Sequence, residues 1–138
     1  MLGGVAPYKF MNYQEGIYVG YRYYETAAQD GYINYEETVQ YPFGYGLSYT
    51  EFEQKMGELE EKDGQISVDV EVTNSGDVSG KDVVEVYYKP PYTNGGIEKS
   101  SANLIEFAKT DLLQPGESQT VTVTFSIEDM ASYDENNA

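Results

Sequence analysis

Between residues 65 and 74 the chain alternates strictly, with Ile66, Val68, Val70 and Val72 on one side and Ser67, Asp69, Glu71 and Thr73 on the other. A period of two is the mark of a strand with one buried face. It predicts a strand from Gln65 to Asn74, closed by the turn residues Asn74-Ser75-Gly76-Asp77. A second strand is predicted from Asp82 to Lys89, with Val84, Val86 and Tyr88 on one face and Val83, Glu85 and Tyr87 on the other. Pro90-Pro91 ends it, because proline cannot donate to a ladder. The run from Leu104 to Leu113 carries Leu104, Ile105, Phe107, Leu112 and Leu113 and stops at Gln114-Pro115-Gly116-Glu117. From Gln119 to Ile127 the alternation returns, with Val121, Val123, Phe125 and Ile127 inward and Thr120, Thr122, Thr124 and Ser126 outward. A weaker edge strand is expected from Tyr49 to Met56. Short strands separated by turns point to an antiparallel β-sandwich rather than to βαβ units. About five strands are foreseen where a sandwich of this type uses about seven. Glu128 to Ala138 offers no other strand, so the sandwich is expected to lack its last hairpin.

The first third of the chain has a different texture. Eleven of the fifteen tyrosines (8, 13, 18, 21, 23, 24, 32, 35, 41, 45 and 49) precede residue 50, which divides the chain into an aromatic-rich N-terminal extension and the strand-rich remainder. Gly16 to Tyr24 is predicted as a strand from its β-branched and aromatic residues. Thr26 to Glu37 is predicted as a polar loop without a helix, turning at Asp30-Gly31. The decamer Tyr41-Pro42-Phe43-Gly44-Tyr45-Gly46-Leu47-Ser48-Tyr49-Thr50 contains no acid or base and has the character of a hinge. Gly44 and Gly46 are there to permit unusual backbone angles, since no lysine-bearing phosphate loop follows.

Charge narrows the possible partners. Twenty-four acids against eight Lys and Arg give a net charge of -16. Such a chain repels phosphate backbones and anionic lipid, so no nucleic-acid or membrane partner is expected. No apolar run approaches the roughly eighteen residues of a membrane helix. Met1 to Pro7 is too short, and lacks the basic start, for a signal peptide. The hydrophobic share of 40% nevertheless argues for a folded chain. With no His and no Cys, neither a Ser-His-Asp triad nor an imidazole or thiolate metal site can form. No cofactor is expected.

Carboxylates remain the available chemistry. A glycosidase needs two, about 5 to 10 Å apart across a sugar, and candidates are Glu36 with Glu37, and Glu58, Glu60 and Glu61 in what is expected to be a charged turn with Lys62 and Asp63. Both groups have the character of solvated surface. Asp69 and Glu71 share a strand face and could hold a hard cation, as could Asp129, Asp134 and Glu135; surface charge is the plainer reading of each. Tyr87, Tyr88 and Tyr92, beside Pro90-Pro91, are the candidates for stacking on a sugar or meeting a partner. Tyr18, Tyr21, Tyr23 and Tyr24 are expected to pack on a neighbouring domain. Arg22, the only arginine, is expected to stack on a ring or pair with Glu15 or Glu25.

Several blocks in order resemble one family. Glu15 to Tyr24, Tyr41 to Thr50, Val72 to Asp77 followed by Gly80 to Val84, and Leu112 to Ser118 are similar to glycoside hydrolase family 3 β-glucosidases. The matching region is where the α/β sandwich domain hands over to a fibronectin type III-like domain. The loop Gly95 to Ser100 with Phe107 to Thr110 is most similar to bacterial members of permuted domain order, in which these parts precede the catalytic barrel. The resemblance implies residues 1–48 as the tail of the preceding domain and linker, and 49–138 as a truncated fibronectin type III-like sandwich. It also implies an aspartate nucleophile in the barrel and a glutamate acid/base upstream in the sandwich domain. Neither motif lies in these residues, so no catalytic role is carried to any position. Members usually follow a segment like Met130 to Asp134 with a tryptophan or tyrosine and a closing hairpin, which are absent here.

The expected function is therefore a non-catalytic scaffold whose partners are the other domains of a parent glycosidase. The alternative is a stand-alone carbohydrate- or protein-binding sandwich acting through Tyr87, Tyr88 and Tyr92. A small acidic interaction protein is a third reading, expected only if the first fifty residues join the same core. An exposed sheet edge or the Tyr-rich segment is expected to support homo-oligomers, unless that segment folds back and adds its strand to the sheet.

Overall fold

A computed structural model describes residues 15–134 and 137. Five strands form two antiparallel sheets: β1 (Phe52–Lys62), β2 (Gln65–Asn74), β3 (Val83–Tyr88), β4 (Asn103–Lys109) and β5 (Ser118–Ser126). One sheet has the order β1-β2-β5 and the other pairs β3 with β4. The chain is an all-β sandwich, as the alternation foretold.

The valines decide which faces meet. In the registers Val70 lies opposite Val121 and Val68 opposite Val123, so the inward stripes of β2 and β5 coincide. Val68, Val70, Val72, Val121 and Val123 then close with Val84 of β3 and Leu113 into one core. Fully burying each valine is worth about 1.5–3 kcal/mol. One expected inward position falls outside that core. Ile127 is 40% exposed, because the chain leaves β5 at Ser126 for a 3-10 turn, Ile127–Met130, capped reciprocally by Ser126 and Asp129. Leu112 and Phe107 are exposed as well, whereas Leu113 joins the core and bridges to Gly80.

Asn74 is the polar counterpart of the valine core and has no exposed surface. Its side-chain N–H groups donate to the carbonyls of Val78 at 2.8 Å and Leu113 at 3.0 Å. Its side-chain oxygen accepts from the Thr50 hydroxyl at 2.7 Å and from Gly76 N–H at 3.2 Å. Every polar atom of the amide is thereby satisfied, as burial demands. Gly76 sits where a Cβ would come within 2.7 Å of the Glu51 backbone nitrogen, so the turn after β2 has room for glycine only.

β1 is an edge strand, as expected, but it is longer than Tyr49 to Met56. It runs through Glu58, Glu60 and Glu61, which are strand residues rather than a turn. The turn is Asp63-Gly64, with φ of 52° and 78°, the left-handed pair that a two-residue hairpin requires.

The aromatic extension departs most from expectation. Gly16 to Tyr24 is not a strand and Thr26 to Glu37 is not a continuous loop. Helix α1 covers Tyr21–Gln29 and a single turn, α2, covers Tyr35–Thr38. Gly20 (φ 57°) breaks the extended chain. At the other end Tyr32 N–H donates to Ala27 O at 2.8 Å and Gly31 N–H to Ala28 O at 3.1 Å, the paired closure of a glycine-terminated helix. The Asp30-Gly31 turn is thus real, as a helix stop. Tyr8 and Tyr13 lie outside the described residues.

Candidate functional site

Nine residues without a side-chain N-cap make a helix too short to persist alone, so α1 owes its existence to what it touches. Its first turn meets β4: the Tyr21 hydroxyl accepts Leu104 N–H at 2.8 Å. That N–H lies at the end of β4 where the β3–β4 register shifts, between Val86 and Tyr87. The Tyr21 ring lies 4.6 Å from that of Phe43 and meets Tyr87 edge-on at 6.0 Å. One turn on, the Thr26 hydroxyl donates to Arg22 O at 2.7 Å and accepts Ser101 N–H at 2.9 Å. The neighbouring Ala27 is buried. Ahead of the helix, the Tyr18 hydroxyl donates to the Glu98 carboxylate.

Glu98 and Ser101 belong to the loop between β3 and β4, which is braced from within. Lys99 donates to Pro91 O at 3.1 Å. The buried Ser100 hydroxyl donates to Asn103 at 2.6 Å, and Asn103 returns a bond to Ser100 O at 3.1 Å. A cleft of about 500 Å³ opens between this loop and α1, lined by Tyr18, Asp30, Pro91, Tyr92 and Glu98 among others. Burial, then the hydrogen bond to Glu98, pushes the Tyr18 phenol up to about 12.

The three tyrosines singled out from sequence are separated by the fold. Tyr87 and Tyr88, adjacent on β3, point to opposite faces. The Tyr87 hydroxyl donates to Glu85 at 2.7 Å, and burial followed by that bond holds its phenol well above the usual range. Tyr88 lines a groove with Ile17, Arg22 and Tyr133. Tyr92 alone is half exposed, at the cleft between α1 and the loop. Arg22, expected to stack or pair with Glu15 or Glu25, lies in the groove with Tyr88. Of the other aromatics, Tyr18 and Tyr21 are half-buried on the sandwich while Tyr23 and Tyr24 stay exposed.

Two of the carboxylates weighed as cation ligands have local partners. Asp69 accepts from Thr122 at 2.6 Å. Asp129 accepts Ser126 N–H at 3.0 Å as part of the 3-10 cap, and Glu135 lies outside the described residues. Among the described residues no cluster of three acids is placed to hold a metal ion, and no helix is long and apolar enough to cross a membrane. The docking residues Thr26 and Ser101 were not foreseen. Glu25-Thr26-Ala27-Ala28-Gln29-Asp30-Gly31, helix formers followed by a glycine stop, was the available signal.

A two-sheet sandwich whose register, turns and docked segment are built this way defines a fibronectin type III-like domain, and residues 82–138 match the family described by that name. The chain belongs to glycoside hydrolase family 3, as the fibronectin type III-like domain and the segment leading into it. It is 43% identical to β-glucosidase A of Butyrivibrio fibrisolvens over 91% of its length, and 42% identical to a β-glucosidase of Ruminococcus albus over 89%. It spans only 16% and 12% of those two enzymes. Among solved structures, a Paenibacillus barengoltzii β-glucosidase superimposes with a TM-score of 0.75 at 48% identity, covering 89% of this chain and 13% of that one. The Bifidobacterium adolescentis GH3 β-glucosidase gives a TM-score of 0.68 at 32% identity, covering 87% of this chain and 16% of that one.

Proposed function

We propose that this chain is the non-catalytic structural domain of a β-glucosidase-type family 3 glycoside hydrolase, and that it holds the catalytic domains in place. The observation that carries this reading is the decamer after α2. Tyr41, Phe43 and Tyr45 are each more than half exposed, and Leu47 and Tyr49 are 91% and 97% exposed, although the segments on either side are pinned to the sandwich. Apolar surface of this extent is a docking face, and covering it stabilises an interface by roughly 25 cal/mol per Å² before ordering costs. Residues 1–48 are the tail of the preceding domain and linker, and 49–138 the sandwich. In the parent these parts precede the barrel, as in permuted members.

The chain alone will not hydrolyse an aryl β-glucoside. Added to a family 3 β-glucosidase lacking its own fibronectin type III-like domain, it will bind and raise the thermal midpoint, and Leu47→Ser with Tyr49→Ser will remove the gain. Turnover by the isolated chain, abolished by mutating one of its carboxylates, would sink the proposal.

A second reading rests on Tyr92, whose half-exposed ring borders the cleft holding Asp30 and Glu98. A flat ring beside carboxylates suits a pyranose, so this cleft is the place for carbohydrate binding, with Tyr87 and Tyr88 outside it. Calorimetry with glucans, repeated on Tyr92→Ala, separates the readings: heat lost in the variant favours binding, and no heat with the parent chain favours the scaffold.

A further inference from the structure

Among the described residues β1 pairs on one side, with β2, and no strand lies along its other side. Its face assignment follows from the register: Gln54 lies opposite Val72, Met56 opposite Val70, Leu59 opposite Val68 and Glu61 opposite Ile66. Those β2 residues belong to the inward stripe, so Gln54, Met56, Leu59 and Glu61 share it. Glu53, Lys55, Glu60 and Lys62 occupy the outer face. A bulge between Met56 and Leu59 shifts the parity by one, so inward residues are even before it and odd after it.

Met56 and Leu59 are 71% and 58% exposed although they face inward. The β3–β4 sheet packs over β2 and β5, leaving this end of the inner face uncovered. An exposed edge is a template for another strand, and here its sequence is self-complementary. Placed antiparallel about a two-fold axis at Gly57-Glu58, Met56 meets Leu59 of a second copy, Gln54 meets Glu61, Lys55 meets Glu60 and Glu53 meets Lys62. The bulge is what allows this, because an even residue must meet an odd one to keep faces aligned.

Neighbouring registers fail. A slip of one residue sets inner positions against outer ones. A slip of two sets Glu53 against Glu60, or Lys55 against Lys62, and like charges directly opposite are destabilising. We propose that β1 is a self-pairing edge through which two copies of this chain form one continuous six-stranded sheet, with Lys55–Glu60 and Glu53–Lys62 fixing the register in both directions. At about 0.15 M ionic strength the Debye length is near 8 Å, so the repulsion of two acidic bodies is screened while these contacts persist.

The test is sedimentation velocity on the whole chain over a concentration series at that ionic strength, with circular dichroism to verify folding. The wild-type chain is expected to dimerise. Lys55→Glu and Glu60→Lys should each weaken the dimer on the order of tenfold or more. An equimolar mixture of the two variants should restore it, because the carboxylate introduced at position 55 of one chain then meets the ammonium introduced at position 60 of the other. Both substitutions in one chain should restore it as well. A monomeric wild type, a dimer indifferent to Lys55→Glu, or folded variants that fail to re-associate on mixing would each overturn the proposal. So would a dimer that keeps its affinity in Lys55→Glu and loses it in Tyr45→Ser, which would place the contact in the aromatic segment.

Discussion

The hydroxyl of Tyr21 accepts the backbone N–H of Leu104 at 2.8 Å, joining the first turn of α1 to the start of β4. The donor lies where the register of β3 and β4 shifts, so the helix docks at the irregular end of the sheet. Tyr21→Phe keeps the ring contacts with Phe43 and Tyr87 and removes the acceptor. It should cost about 1 kcal/mol and accelerate hydrogen exchange at Leu104 without changing exchange in β2. Unchanged exchange at Leu104 would show that water replaces the hydroxyl at no cost.

Asn74 joins β2 to two turns at once. Asn74→Ala leaves the Val78 and Leu113 carbonyls without their side-chain donor in a buried site, and the loss should be on the order of 3 kcal/mol in urea denaturation. Asn74→Asp should be no better, since it restores the acceptor for Thr50 but not the donors.

At Gly76 the constraint is steric. A methyl group there meets the Glu51 backbone nitrogen and the Thr50 hydroxyl, neither of which can move without disturbing the start of β1. Gly76→Ala is expected to lower the thermal midpoint by several degrees, equivalent to about 1–3 kcal/mol. Gly95→Ala meets nothing within 4 Å and suffers only its left-handed backbone, making it the comparison that separates collision from φ strain.

Alkaline pH tests the docking of the aromatic segment. Tyr18 is raised to about 12, against about 10 in an unfolded chain. The neutral phenol is the bound form, so its contribution is complete below pH 10 and is lost as pH rises from 10 through 12. Ultraviolet titration of Tyr18→Phe should lack one late-titrating phenol of the wild type. If Tyr18 titrates with the bulk near 10, the contact with Glu98 is absent in solution.

Much of the sandwich was legible in the chain. β2 was readable to the residue and β5 to within one, because each buries one face and exposes the other, and that asymmetry is written as alternation. The turns at Asn74 to Asp77 and Gln114 to Glu117 were legible because glycine and proline restrict the backbone locally. The β1 edge was placed but its length was not, since a strand exposed on nearly every side carries no burial pattern to delimit it.

The family, too, was readable from short blocks in order. What the amino-acid order determined by itself, then, was the pair of facing stripes, the turns that return them and the kinship they share with β-glucosidases. Tertiary structure decided the conformation of Gly16 to Tyr24. Its tyrosines favour a strand locally, yet Tyr21 and Thr26 find their partners at Leu104 and Ser101, 83 and 75 residues away. Only packing could weigh those contacts against β-propensity, because a nine-residue helix gains its stability from the surface it lies on. Of Tyr87, Tyr88 and Tyr92, the first two were assigned to opposite faces by the alternation itself, whereas the place of Tyr92 beside α1 was decided by the loop that follows β3, braced from Lys99 to Pro91.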